Sequence, residues 1–186
     1  MPSPSKVTAT VLMSGGVDST ACAYFLKQQG ARVRGLFVDH GQPAARREAK
    51  ALRALALKLR IPMQATKLTG ADDIRSGEIP GRNAMLIFSA VFLTRAQPGL
   101  LAIGIHAGTP YFDCSAAFLD SAARLVSEQT DGRLSLVAPF LQWSKRDVFD
   151  YFKKSRLPLT LTYSCEAGTN PPCGVCASCE DRGALK

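Results

Sequence analysis

The chain has 186 residues, of which 46% are hydrophobic and 20% are charged, and its formal net charge is +8. This composition excludes a disordered or fibrous protein, and the length suits one domain with a sizeable core. No apolar run approaches a membrane span and the basic residues are scattered, so we expect a cytoplasmic protein that binds neither membrane nor nucleic acid.

Apolar runs alternate with segments of helical pattern along the chain. Strands are predicted at residues 7–13, 33–39, 63–68, 100–104 and 134–138. Helices are predicted at residues 18–29, 43–59, 83–96, 116–128 and 145–155. This alternation predicts an α/β fold with a doubly wound, mostly parallel sheet, whose ligand lies over the carboxyl ends of the strands. We expect this domain to cover residues 1–160 and a tail, residues 161–186, to pack on it.

The segment SGGVDST, residues 14–20, lies between the first predicted strand and the first predicted helix. Gly15 and Gly16 lack a β-carbon, so the chain can turn sharply and expose N–H groups to an anion. A helix that begins near Asp18 adds free N–H groups. Three hydroxyl side chains add further donors: Ser14, Ser19 and Thr20. The segment matches neither the Walker loop nor the dinucleotide glycine spacing, so it predicts another kind of nucleotide phosphate site, with a simple Gly-Ser turn as the alternative.

SGGVDST resembles the SGGxDS loop of the ATP pyrophosphatases, the PP-loop superfamily of adenylating enzymes with an adenine nucleotide alpha hydrolase-like fold. In that superfamily the loop holds the pyrophosphate that departs when a substrate oxygen takes the AMP. The resemblance implies these ATP-binding residues: Met13, Ser14, Gly15, Gly16, Val17, Asp18, Ser19 and Thr20. Asp39, at the end of the second predicted strand, is expected to contact adenosine, although Asp is also a common turn residue.

Four of the six cysteines crowd the end of the chain. They form the pattern C-x7-C-x2-C-x2-C at Cys165, Cys173, Cys176 and Cys179. Two-residue spacing lets successive thiolates converge on one ion, which predicts a closed, structural zinc site. An iron–sulfur cluster is an alternative, because thiolate number alone does not select the metal. Disulfides would conflict with the expected cytoplasmic setting.

Three further segments accompany the loop: FVDHGQ at residues 37–42, IPGRN at residues 79–83 and YSCEAGTNPPCGVCASCEDR at residues 163–182. Together these segments and SGGVDST resemble the 7-cyano-7-deazaguanine synthase family, QueC, over residues 7–182. The resemblance implies a homodimeric, ATP-dependent ligase of queuosine biosynthesis, with structural Zn²⁺ and with ATP and Mg²⁺. Such an enzyme converts 7-carboxy-7-deazaguanine and ammonia to 7-cyano-7-deazaguanine through an adenylated acid and an amide.

The resemblance also assigns roles to residues outside the loop. Arg82 and Asn83 are expected to face the nucleotide or the acid, since an Arg fork can bind two oxygens of a carboxylate. Lys145, after the fifth strand, is expected to stabilise transition-state charge, which makes Asp18, Arg82 and Lys145 the candidate catalytic residues. A surface Arg and a solvated helix-terminal Lys are the alternatives.

The segment GIHAGTPYFDC, residues 104–114, departs from the family. The family typically has Asn at the position of His106, and Asp113 and Cys114 keep the family's ending. We expect His106 and Asp113 to contact the substrate, and a His can also carry protons or serve only as hydrogen-bonded structure. A small buried residue is the favoured interpretation of Cys114.

The altered segment leaves open which acid is bound. Three further functions therefore remain: a paralogue that joins a related acid to another amine, including one on a protein, a tRNA-thiolating adenylase, and a non-catalytic module that binds zinc and nucleotide.

Overall fold

The fold is built on one parallel sheet, seen in a computed structural model that describes residues 7–70 and 77–184. In order along the chain its strands are β1 (Thr8–Leu12), β2 (Arg32–Asp39), β3 (Met63–Lys67), β4 (Gly99–Ala102) and β5 (Leu134–Val137). The strands lie side by side in the order β3-β2-β1-β4-β5, and every neighbouring pair is parallel. The predicted α/β sheet is confirmed.

Helices connect the strands and cover both faces of the sheet. They are α1 (Val17–Gln28), α2 (Ala45–Leu59), α3 (Arg82–Thr94), α4 (Ala116–Gln129), α5 (Lys145–Lys154) and α6 (Ala177–Ala184). The first five agree with the predicted helices to within a few residues, whereas α6 lies outside every predicted helix. None of the helices in the described part of the chain has the length and apolar character needed to cross a bilayer.

Two apolar clusters form the core, one on each face of the sheet. Side chains alternate between the faces along a strand, so Val11 and Phe37 join the cluster of α1, α2 and α5, while Leu12 and Leu36 join that of α3 and α4. Burial of each such side chain stabilises the fold by about 1.5–3 kcal/mol. A strand that is covered on both faces buries every residue of an apolar run, which suits the apolar runs of β1 and β2 to the middle of the sheet.

The strand order places a crevice beside β1. From β1 the chain continues outward to β2 and β3 on one side, and β4 and β5 lie on the other side. The loops that leave β1 and β4 therefore separate at the carboxyl edge of the sheet, where ligands of doubly wound folds bind. The segment 14–20 is the loop that leaves β1.

Gly15 lets α2 pack directly beneath this loop. Its φ angle is +81°, and a β-carbon there would lie 3.1 Å from the carbonyl oxygen of Glu48 and 3.2 Å from the β-carbon of Ala51. A side chain at this position would be both strained and crowded. The close contact between loop and helix fixes the height of the loop above the sheet.

We expect Gly15→Ala to lower the free energy of unfolding by about 2–4 kcal/mol, because strain and overpacking act together. Gly30→Ala is the matched control, since Gly30 has a φ angle of +87° but a β-carbon there would have no neighbour within 4 Å. Urea denaturation followed by circular dichroism measures both. Equal losses in the two variants would contradict the packing argument.

Candidate active site

A cleft of about 560 Å³ opens at the carboxyl edge of the sheet. Its lining comes from the loops after β1, β2 and β4, from the first turns of α3 and α5, and from the tail that follows α5. This volume falls in the range of small-molecule sites, roughly 300–1,000 Å³. The cleft therefore gathers the segments that carry chemical signals in the sequence.

The loop after β1 is held open by its own hydrogen bonds. The N–H of Ser14 donates to Oγ of Ser19 (3.3 Å), the N–H of Gly16 donates to Oγ of Ser14 (3.4 Å), and Oγ1 of Thr20 donates to the carbonyl of Gly16 (2.6 Å). No side chain in the described residues caps the start of α1 at Gly16. The first N–H groups of α1 are therefore free to bind an anion.

Most of the predicted ATP-binding residues line the cleft: Met13, Ser14, Gly16, Val17, Asp18 and Ser19. Gly15 packs on α2 instead, and Thr20 is fully buried with its hydroxyl bound to Gly16. Asp39 accepts a hydrogen bond from the N–H of Gly41 (3.0 Å), so its carboxylate shapes the turn after β2. Contact of any of these residues with ATP stays a prediction.

Asp18 is the centre of an ion cluster in the cleft. Its Oδ2 lies 2.7 Å from Nζ of Lys145 and 4.0 Å from Nε2 of His106. Lys145 also lies 3.9 Å from Oδ2 of Asp181, a residue of α6. Oδ1 of Asp18 is buried and has no hydrogen-bond partner among the described residues. Such an atom costs about 1–3 kcal/mol, which a bound ligand or cation would recover.

Local structure orients the two side chains that lie beside Asp18. Lys145 is the first residue of α5, and Ser144 and Asp147 form a capping box that fixes where the helix begins. His106 is buried, and its Nδ1 lies 2.8 Å from the carbonyl oxygen of Ala107. Since a carbonyl only accepts, Nδ1 carries the hydrogen and Nε2 is the ring nitrogen directed toward Asp18.

Arg82 and Asn83 enter the cleft from the start of α3. The buried Asn83 donates from Nδ2 to the carbonyl oxygen of Asp113 (2.9 Å), and its N–H donates to Oδ2 of Asp113 (3.3 Å). The Asp113 carboxylate thus satisfies an N–H group at the helix start, and Asp113 is not among the cleft-lining residues. A direct contact of Asp113 with substrate stays a prediction.

Three polar cleft residues after β2 lie outside the predicted site: His40, Gln42 and Glu48. The N–H of His40 donates to Oε1 of Gln42 (2.9 Å), and Nε2 of Gln42 donates to Oε2 of Glu48 (2.7 Å). His40 and Gln42 belong to the segment FVDHGQ, which carries the family resemblance without a role for either side chain. Glu48 lies among Arg, Ala and Lys residues in the first turn of α2. Its position near the start of a helix that follows a strand is the one sequence feature that could have indicated a place in the site.

Burial shifts the pKa of several cleft groups. Burial lowers the pKa of His40 below 6.5, and the charge of Arg82 lowers it further. Burial raises the pKa of Glu48, against the hydrogen bond from Gln42. Burial, reinforced by Asp113, raises the pKa of the Cys114 thiol to about 11. Cys114 is therefore a poor nucleophile near neutral pH, in agreement with its interpretation as a small structural residue.

The four cysteines of the tail form one cluster. Their sulfur atoms all lie within 4.8 Å of one another, close to the separation of roughly 3.8 Å that a tetrahedral Zn–S₄ site requires. The N–H of Cys173 donates to Sγ of Cys165 (3.3 Å), and the N–H of Glu166 donates to Sγ of Cys176 (3.5 Å). Burial raises the pKa of Cys165, but hydrogen bonds, chiefly that from Cys173, lower it to about 5. The donor set thus fits a metal ion.

The cysteine tail is also a wall of the cleft. The N–H of Tyr163 donates to the carbonyl oxygen of Gly15 (3.0 Å), which ties the tail to the loop after β1. Arg182 of α6 donates to Oγ1 of Thr162 (2.8 Å) and to the carbonyl of Leu159 (2.8 Å). The cluster and these bonds fix α6 beside Lys145.

A parallel sheet with a Gly-Ser loop and a free helix N-terminus at its switch point defines a nucleotide-binding protein of the PP-loop fold. Two solved structures share this fold. A predicted subunit of tRNA methyltransferase from Methanocaldococcus jannaschii matches with a TM-score of 0.52 and 14% identity, over 79% of this chain and 74% of that one. The U34-tRNA thiolase NcsA from Methanococcus maripaludis, with its [4Fe-4S] cluster, matches with a TM-score of 0.57 and 12% identity. This match covers 82% of this chain and 58% of the thiolase.

The sequence narrows this class to one family. The family model of the queuosine biosynthesis protein QueC matches residues 8–76 and 65–184. The 7-cyano-7-deazaguanine synthase of Synechococcus sp. (strain CC9902) is 33% identical over 94% of this chain and 90% of its own length. The 7-cyano-7-deazaguanine synthase of Aquifex aeolicus is 30% identical over 92% of this chain and 93% of its own length. The chain therefore belongs to the QueC family.

His40 gives the stability of the fold a defined pH dependence. Because its pKa is lowered in the folded state, its contribution is present above 6.5 and is lost as the pH falls through the lowered value. We expect the loss of unfolding free energy between about pH 7.5 and about pH 5 to be smaller in His40→Gln than in the wild type. Chemical denaturation at both pH values measures this loss of unfolding free energy. An equal loss in His40→Gln and in the wild type would contradict the lowered pKa of His40.

Proposed function

We propose that this protein is a 7-cyano-7-deazaguanine synthase, an ATP-dependent carbon–nitrogen ligase that acts on 7-carboxy-7-deazaguanine and ammonia. The observation that carries the proposal is the cleft itself. In a member of the QueC family, one cleft joins a phosphate-binding loop to the ion cluster of Asp18, Lys145 and His106. Cytoplasmic location and a homodimer are part of the proposal, and the 81% exposure of Phe92 on α3 is consistent with a covering second copy.

The chemistry explains the need for ATP. A carboxylate resists attack by ammonia because its oxygen is a poor leaving group, so transfer of AMP to that oxygen, with release of pyrophosphate, first makes a mixed anhydride. Ammonia then displaces AMP and gives an amide. A second ATP transfers AMP to the amide oxygen, again with release of pyrophosphate, and loss of this AMP together with the two N–H protons leaves the nitrile. Such steps require positioning and charge neutralisation more than an enzyme nucleophile.

The loop after β1 and the start of α1 are the proposed phosphate site. Backbone N–H groups and the hydroxyls of Ser14 and Ser19 bind the phosphate oxygens, and Lys145 and Arg82 neutralise the charge that develops on them. Mg²⁺ that accompanies ATP supplies further neutralisation when bound. Asp18 suits Mg²⁺ because its Oδ1 is an oxygen ligand without a partner in the described residues.

The acid is proposed to lie between α3 and the loop after β4. Arg82 binds its carboxylate, and Asn83 and His106 contact the rest of the acid. Asp113 contributes indirectly, since it fixes Asn83 through two hydrogen bonds. A residue that holds a binding group in place affects substrate affinity without touching the substrate.

The metal of the cysteine cluster is proposed to be a structural zinc ion. Four thiolates close a tetrahedral shell and leave no open position for water or substrate. An iron–sulfur cluster is the competing occupant, because the structurally similar thiolase holds a [4Fe-4S] cluster. A thiolating function is not favoured, because the chain belongs to the QueC family and the cleft thiol of Cys114 is held protonated.

Incubation of the purified protein with Mg–ATP, ammonia and 7-carboxy-7-deazaguanine is expected to yield AMP, the amide and then the nitrile, as followed by mass spectrometry. Lys145→Met is expected to lower the rate by about 10²-fold or more, the size of effect that loss of one charge-stabilising group produces. Absence of both products, with ATP consumed when another acid is supplied, would favour the paralogue that joins a related acid to another amine.

Metal analysis of protein purified without chelator is expected to find close to one zinc ion per chain. Cys176→Ser is expected to lose most of it, because the site then has three thiolates instead of four. Cys114→Ser, a cysteine outside the cluster, is the control and should keep its metal. Iron and inorganic sulfide in place of zinc, or full zinc in Cys176→Ser, would overturn the assignment.

A further inference from the structure

Helix α6 brings a second carboxylate to Lys145. Oδ2 of Asp181 lies 3.9 Å from Nζ of Lys145, and Oδ2 of Asp18 lies 2.7 Å from the same nitrogen. The two carboxylates come from opposite ends of the chain, one from the helix after the phosphate loop and one from the cysteine tail. Neither a sequence motif nor the family resemblance assigns a role to Asp181.

We propose that Asp181 is a positioning residue for Lys145 and that the four-cysteine metal site holds Asp181 in the place where it contacts Lys145. The proposal rests on the proposed function, because it assumes that Lys145 stabilises charge on the reacting groups. With Asp18 alone, the ammonium would pair fully with that less exposed carboxylate, whose side chain is 29% exposed. Asp181, whose side chain is 53% exposed, draws it toward the more open part of the cleft, where it reaches the oxygens of a bound phosphate or adenylate.

The contacts of α6 explain why the metal matters here. Cys179 lies two residues before Asp181, and Cys176 immediately precedes the helix. On the other side of Asp181, Arg182 binds Thr162 and Leu159. The Asp181 side chain is 53% exposed, so few contacts of its own fix it. Its distance from Lys145 is therefore set by the anchoring of the helix, which the cysteine cluster and the hydrogen bonds of Arg182 provide together.

The chain offers a matched control for this idea. Glu180 precedes Asp181 on α6, is exposed and does not line the cleft. Asp181→Asn and Glu180→Gln each remove one negative charge from the same helix with little change of shape, and Asp181→Glu restores the charge. Any effect of net charge alone would be shared by the first two variants, whereas a positioning effect would be confined to Asp181→Asn.

Synthase kinetics give the first test. We expect Asp181→Asn to lower kcat by about five- to tenfold through misplacement of Lys145. Its KM for ATP should stay within about twofold, because loss of a negative charge does not weaken anion binding. Asp181→Glu should recover most of kcat, and Glu180→Gln should match the wild type. A kcat of Asp181→Asn equal to that of Glu180→Gln would overturn the proposal.

A second measurement needs no substrate. Lys145 is labelled with acetic anhydride at constant pH, and its modification rate is read by peptide mass spectrometry. Asp181→Asn is expected to lower this rate about threefold, because the ammonium then pairs with the less exposed Asp18 alone, while Glu180→Gln leaves the rate unchanged. Removal of the metal by a chelator should change the rate of the wild type in the same direction and add little in Asp181→Asn.

The two measurements separate the two claims. A labelling change without any synthase activity would leave the positioning contact in place and reject the proposed function. Normal synthase activity with no labelling change would reject the positioning role of Asp181 alone. Equal metal content in Asp181→Asn and Glu180→Gln is expected as well, and a selective loss of metal from Asp181→Asn would mean that Asp181 serves the fold of the tail.

Discussion

A single backbone hydrogen bond, from the N–H of Tyr163 to the carbonyl oxygen of Gly15, joins the two ends of the functional site. The bond exists because Gly15 turns with a φ angle of +81°, which no side chain adopts cheaply. Alone it contributes about 0.5–1.5 kcal/mol. Its importance comes from its place, since the cysteine cluster begins two residues after Tyr163. The geometry of the phosphate loop thus depends on the tail that closes over it.

The electrostatics of the cleft follow from the same arrangement. Asp18 lies between Lys145 and His106, and the opposite wall carries Arg82, His40 and Glu48. Cations stand on both sides of the space that a triphosphate and a carboxylate would share. Asp18 and Asp181 hold Lys145 in place before a ligand arrives, so this cation needs little rearrangement when charge moves during the reaction.

Local patterns predict the sheet, five helices, the phosphate loop and the cysteine cluster, because each depends on residues close together in sequence. Helix α6 escapes prediction since its eight residues, ASCEDRGA, lack an apolar period. Asp181 and Glu48 escape it for another reason: each becomes part of the cleft only when its helix packs against a distant loop. Thr20 and Asp113 differ from these residues in the opposite way. Sequence patterns place both among the ligand-binding candidates, and in the structure their side-chain oxygens form hydrogen bonds with backbone atoms.

The floor of the cleft is made of backbone at its deepest point. A β-carbon at Gly104, just after β4, would lie 3.1 Å from the carbonyl carbon and oxygen of Asp18. No side chain fits between these two segments, so mutation can change the walls of the cleft but scarcely its floor. Residues 105–112, which lead away from Gly104 and differ from the family pattern, contribute side chains to the cleft lining. Changes there can alter which acid is bound without disturbing this backbone contact.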